Sequence, residues 1–228
     1  YSGPARVAGS AGTGKTVVAL HRAVHLARTN PDSRILLTTF SDTLANALRI
    51  KLRRLISSEP HLGERIDVHA MNAIGERLYE QRFGRPSLVT RDVLKQHLAH
   101  AAGATDKKFS PSFLLSEWDE IVDAWQIDSW ESYHDVKRLG RKTRLAETQR
   151  AALWAIFADV RASLQAAGMI TYAGMFTALA DCLAGEQPPF DFLVVDEAQD
   201  ISVAQLRFLA ALGANRPNAL FFAGDLGQ

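Results

Sequence analysis

Residues 9–16 constrain this chain more than any other stretch. They read GSAGTGKT and fit G-x-x-x-x-G-K-[ST], the pattern of a phosphate-binding loop. A short apolar segment, residues 5–8, precedes them, and the run VVALHRAVHLAR after them reads as a helix. The order strand, loop, helix that gives the pattern its meaning is therefore present. A glycine-rich turn before an ordinary helix would satisfy the spacing alone, but not this context. Glycines let a backbone fold tightly round a polyphosphate and aim its N–H groups at the oxygens. A helix beginning near Gly14 adds its positive end to the same place. Lys15 is then placed to reach β- and γ-phosphates as a mobile point charge, and Thr16 to hold Mg²⁺ through its hydroxyl.

The bulk of the chain fits a large α/β domain. With 47% apolar residues in 228, it has the means to bury a sizeable core. Its 26 Lys and Arg stand against 25 Asp and Glu, so contact with nucleic acid has to come from local patches rather than overall charge. A single cysteine, Cys182, leaves no internal disulfide and suits a reducing interior. No apolar run approaches the ~20 residues that cross a bilayer, and a cytoplasmic setting without membrane is the expectation. Tyr1 stands close before the glycine loop, and the chain stops soon after an apolar run at its other end. An excerpt from a longer protein is expected.

Residues 34–40, RILLTTF, are apolar through the middle, as a strand covered on both faces should be. Ser41 is placed to cap a helix whose Leu44, Leu48, Leu52 and Leu55 line one side. Arg49, Lys51, Arg53 and Arg54 on its other side read first as a solvated face. Residues 66–68 form a short strand leading to a helix through Ile74, Leu78 and Tyr79. His69 and Asn72 at that junction are equally consistent with ordinary polar groups at a helix start.

From 84 to 189 strand-like runs vanish. Val93, Leu94 and Leu98, then Phe113, Leu114, Trp118, Ile121, Val122 and Trp125, recur at helical spacing. The strongest helix spans 145–167, with Gly168 placed to end it. The expected organisation is a core over 1–84 and 190–228 carrying a helical insert over 85–189. Within the insert, Trp130, Tyr133, Lys137, Arg138, Arg141, Lys142 and Arg144 form one basic and aromatic cluster. It fits either stacking on unpaired bases or a charged surface beside core rings.

Sheet character returns with DFLVVDEAQD, residues 191–200, which sets two carboxylates just past an apolar strand. Beside a phosphate loop, Asp196 is suited to hold Mg²⁺ and Glu197 to accept a proton from attacking water. A last strand, 219–223, delivers Gly224, Asp225 and Gln228 to the same sheet edge, where ligands of such folds gather. A glutamine there is suited to sense a γ-phosphate or orient water.

Taken in order, GSAGTGKT, TTFSDTLANAL, VHAMNAIGERL, FLVVDEAQD and FFAGDLGQ resemble the successive motifs of the UvrD/Rep-like superfamily 1 DNA helicases. The likeness spans the whole chain and corresponds to the first RecA-like half of such a motor, a parallel sheet flanked by helices with an inserted helical subdomain. It implies ATP and Mg²⁺ as cofactors, a second RecA-like half of the same polypeptide closing the cleft, and 3′ to 5′ movement along single-stranded DNA. On this resemblance Gly12, Thr13, Gly14, Lys15 and Thr16 form the phosphate cradle. Asp196 is the magnesium carboxylate and Glu197 the hydrolytic base. Gln228 reports the γ-phosphate to the DNA side, with Asp225 shaping that link, and Thr39, Phe40 and Ser41 touch single-stranded DNA. The sequence departs from the family at Val17, where an arginine is usual, and at Ala70, Met71 and Asn72, which replace T-F-H. Little hydrolysis is expected from this half alone, because part of the electropositive clamp would come from the other. Two other readings are a P-loop kinase, which should complete itself in one compact domain with a lid, and an interaction module that has kept the ATPase fold.

Overall fold

A computed structural model describes residues 3–10, 12–105, 108–136, 145–213 and 216–225. Its centre is a five-stranded sheet of β1 (Ala5–Gly9), β2 (Ile35–Thr39), β3 (Ile66–Ala70), β4 (Phe192–Asp196) and β5 (Leu220–Asp225). The strands run in the order β1-β5-β4-β2-β3, every pair parallel. The expected α/β fold with a parallel sheet flanked by helices is the one observed. All five residues of β2 are buried, as a central strand between two layers requires.

Helices α1 (Lys15–Thr29) and α2 (Asp42–Leu55) cover one face. Ala19, Ala23 and Val24 from α1 and Leu48 and Leu52 from α2 pack on Ile35, Leu37, Val68, Val194 and Phe221. Alternation along the strands turns Leu36, Leu193 and Val195 to the other face, where they are equally buried. There α9 (Val203–Gly213) packs on β4 and β5, and α3 (Met71–Phe83) comes directly after β3.

The stripe that α2 buries is Ala45, Leu48 and Leu52; Leu44, expected inside, is 38% exposed. Leu48, Leu52 and the partly buried Leu55 keep the expected side inward, and Ala45 takes the place of Leu44 at the start of the stripe. Arg49 leaves the solvated face assigned to it. Its Nε and Nη2 donate to Val68 O at 3.0 and 2.6 Å, covering a carbonyl on the edge strand β3 that would otherwise invite another chain.

The chain divides into two compact units, 1–84 with 176–228, and 85–175. The division falls inside α8 (Tyr172–Leu183), whereas the composition change suggested 189. Phe176 of α8 packs on Phe208 of α9 at 5.2 Å, which assigns the end of this helix to the sheet unit. The other unit comprises α4 (Arg91–Gly103), α5 (Pro111–Glu117), a π-helical turn over Trp118–Val122, α6 (Trp130–Asp135), α7 (Glu147–Ala166) and the start of α8. Thr90, Ser110 and Ser129 cap α4, α5 and α6 through their hydroxyls. Gly168, at φ 64°, ends α7 in the left-handed turn that favours glycine. The core of this unit joins Leu94, Leu98, Trp118, Val122, Tyr133, Leu153, Phe157 and Val160. Trp125, expected among them, is 51% exposed. The helical run ends at Val122, and Trp125 lies in the turn that follows, where helical spacing no longer sets its direction. No helix among the described residues is long and apolar enough to cross a membrane.

Candidate functional site

The carboxyl ends of β1, β5 and β4 lie side by side, Gly9 opposite Asp225 and Ala223 opposite Asp196. This register gathers the glycine loop and the late carboxylates on one sheet edge. Gly12 and Gly14 take φ of 81° and 83°, values open to glycine and costly for other residues. A Cβ built on either meets nothing within 4 Å, so both border open space. Gly9 has a different reason to lack a side chain, because a Cβ there would lie 2.7 Å from Thr13 Oγ1. That hydroxyl donates to Ser10 O at 2.8 Å and closes the loop.

Gly14 is the N-cap of α1 and supplies no side-chain acceptor, and the first turn carries no acid. The leading N–H groups of the helix are left for an anionic ligand. Lys15 bends back over the loop. Its Nζ donates to Ser10 O at 2.7 Å and pairs with Asp225 Oδ1 at 2.6 Å. The ion pair is close but poorly directed, since that carboxylate oxygen is buried without an aligned hydrogen bond.

Asp196 ends β4 with only 5% of its surface exposed. Burial pushes its carboxyl above the usual range, the nearby Thr16 hydroxyl pulls it back, and the neighbouring Glu197 charge pushes it up again. Such a group is poorly solvated as an anion and is suited to a cation that replaces the missing water. Among the described residues no cluster of three or more His, Cys, Asp or Glu could hold a metal unaided. A magnesium ion here would therefore draw on Thr16, Asp196 and the oxygens of its own ligand, and the donor set, all hard oxygen, fits that ion.

Glu197 stands at φ 56°, a left-handed conformation unusual for a side chain of this size. Gln199, in the 3-10 turn over Ala198–Asp200, donates from Nε2 to Glu197 Oε2 at 2.7 Å and accepts at Oε1 from Asp225 N at 3.0 Å. Sequence reasoning passed over Gln199. Its signal was the choice of an amide, which both donates and accepts, two residues beyond a carboxylate pair. Gly224 makes room for it, as a Cβ there would lie 2.8 Å from Gln199 Oε1 and 3.0 Å from Ala198 N.

The structure thus brings together Gly12, Thr13, Gly14, Lys15, Thr16, Asp196, Glu197 and Asp225. Gln228 lies outside the described residues. Of the three residues expected to meet nucleic acid, Phe40 is the most exposed, at 57%. Thr39 is buried, and the hydroxyl of half-buried Ser41 caps α2, accepting from Leu44 N at 3.3 Å with its own proton still to donate. Asn72 is also engaged, accepting from Gln205 Nε2 at 3.1 Å. Burial lowers the His69 pKa; Asp67 opposes this, and Arg49 and Arg77 add to it. In the helical unit Tyr133 is fully buried and donates to Glu117 Oε1 at 2.8 Å, so it belongs to the core and not to a stacking surface. Trp130 leans on His134 at 5.3 Å, and Lys137, Arg138, Arg141, Lys142 and Arg144 lie outside the described residues.

The sequence matches the family profile of the UvrD/REP helicase N-terminal domain over residues 1–228. Comparison with curated proteins gave no match.

Proposed function

Because this chain belongs to the UvrD/REP helicase family as an N-terminal domain, we propose that it is the ATP-binding half of a motor moving 3′ to 5′ along single-stranded DNA, completed by a second RecA-like half of the same polypeptide. Gly12, Thr13 and Gly14 shape the cradle, and the open N–H groups of α1 meet the phosphates. Lys15 exchanges Asp225 for the β- and γ-phosphates. Thr16 and Asp196 are the residues that would hold Mg²⁺, which when bound supplies positive charge against the phosphate oxygens. Glu197 accepts a proton from water at Oε1, its Oε2 being held by Gln199. Gln228 senses the γ-phosphate, and the exposed Phe40 ring stacks on an unpaired base. In the isolated half, ATP turnover is low for want of the partner's cations.

The observation that carries this reading is the strand register that sets Gly9 opposite Asp225 and Asp196 opposite Ala223 at one sheet edge, with Thr16 near enough to lower the Asp196 pKa. It brings the two sequence motifs, far apart in the chain, within reach of one ion. The test is DNA-stimulated ATP turnover by the complete polypeptide, with and without Lys15→Ala. Loss of a phosphate-clamping charge should lower turnover by about 10²-fold or more. Unchanged turnover in the variant, or no stimulation by single-stranded DNA in the parent, would overturn the assignment.

A further inference from the structure

We propose that Gln199 is a positioning residue for hydrolysis, its amide fixing the Glu197 carboxylate from one side while binding the backbone of Asp225, the partner of Lys15, on the other. This rests on the assignment of Glu197 as the hydrolytic base. Both ends of the amide are engaged. Nε2 gives one proton to Glu197 Oε2 at 2.7 Å and faces Asp200 Oδ2 at 3.3 Å, while Oε1 accepts from Asp225 N at 3.0 Å. Only this orientation works, because turning the amide over would set N–H against N–H at Asp225 and oxygen against oxygen at Glu197.

Three features show that the contact is built rather than incidental. Glu197 holds a left-handed backbone, which aims its side chain away from the strand direction and needs an anchor to persist. The backbone of the 3-10 turn passes so close to Gly224 that any side chain there would collide with Ala198 N and Gln199. Asp225, the residue whose N–H Gln199 receives, pairs through its own side chain with Lys15 Nζ at 2.6 Å. The chain of contacts Glu197, Gln199, Asp225, Lys15 thus runs from the base to the phosphate-binding cation across two strand ends. When phosphate draws Lys15 from Asp225, the loop that holds Gln199 feels the change. The base is then aligned in the occupied site by the same amide.

Gln199→Glu separates positioning from scaffolding, since the new side chain has nearly the same shape and still accepts from Asp225 N but at neutral pH gives no proton to Glu197. In the complete polypeptide with single-stranded DNA, kcat should fall about 10²-fold, the scale expected when a reacting group is misplaced by about an ångström. KM and the affinity for a fluorescent ATP analogue should stay within about twofold. In a Glu197→Gln background the same change should cost nothing further, because both act through one carboxylate. Hydrogen exchange at the Asp225 amide supplies a readout free of turnover: protection should survive in Gln199→Glu and be lost in Gln199→Ala. Full additivity with Glu197→Gln, or an unchanged kcat in Gln199→Glu while Lys15→Ala abolishes turnover, would overturn the proposal and leave the ATPase assignment standing. Unaltered exchange at Asp225 in Gln199→Ala would also overturn it.

Discussion

Burying the Asp196 carboxyl costs the fold stability. Its folded pKa lies above the unfolded one, so the folded state binds the extra proton and stability falls as pH rises through the interval between the two values. Asp196→Asn keeps the shape and an acceptor for the Thr16 hydroxyl while removing the buried charge. Without nucleotide, the variant should melt higher by roughly 2–4 °C, the equivalent of about 1 kcal/mol in a chain of this size. The gain should shrink to nothing as pH is lowered below the carboxyl range, and added Mg²⁺·ATP should no longer raise the melting temperature. A series of thermal melts against pH checks both signs. At this scale the motif residues were legible because their chemistry is bound to spacing: a lysine and a threonine succeed a fixed pattern of glycines, and two acids succeed a strand. Ser41 was read correctly as a cap from its place before a helical run. Gln199 was not legible because its role depends on Gly224 and Asp225, residues of another strand that reach it only through folding.

Among the elements, the joint between the 3-10 turn and β5 tolerates least. Gly224→Ala places a methyl group 2.8 Å from Gln199 Oε1 and 3.0 Å from Ala198 N, and the second contact is backbone that has to move. A loss of about 1–3 kcal/mol is expected, as for overpacking elsewhere, measurable as a lower denaturation midpoint. In the helical unit, Tyr133→Phe removes a hydrogen bond to the buried Glu117 carboxylate. That change should cost about 1–3 kcal/mol by urea denaturation. The elements themselves were legible where one period dominates, as in the unbroken apolar run of β2. They were less so in detail: α2 starts its buried stripe at Ala45 instead of Leu44, and the π turn over Trp118–Val122 has no mark in a pattern that reads the same for an α-helix. Tyr133 fitted either a stacking surface or the core, because composition does not reveal which ring points inward; its burial decides for the core.

The molecule as a whole divides along its cores. The cluster of Leu94, Trp118, Tyr133, Leu153 and Phe157 is distinct from the one that packs α1 and α2 on the sheet. Leu153→Ala, at a fully buried position, should cost about 2–5 kcal/mol within its own unit. Hydrogen exchange read by mass spectrometry should show lost protection in α4, α5 and α7 while β2 and β4 keep theirs; equal loss in both sets would mean that the units unfold as one. The insert was visible in the sequence as a long stretch without strands. Its far edge was hidden because α8 is mostly apolar, with Met175 assigned to one unit and Phe176 to the next. The strand order carries a consequence for how this protein is made. Among the described strands β1 pairs with β5 alone, Ala5 facing Phe221, although β1 leaves the ribosome long before β5. At roughly 5–20 residues per second of synthesis, the glycine loop waits on the order of ten to forty seconds for the neighbour that anchors it. A nascent chain therefore has its helical insert in hand before it owns a nucleotide pocket, and any chaperone that guards it must cover an unpaired strand for that time.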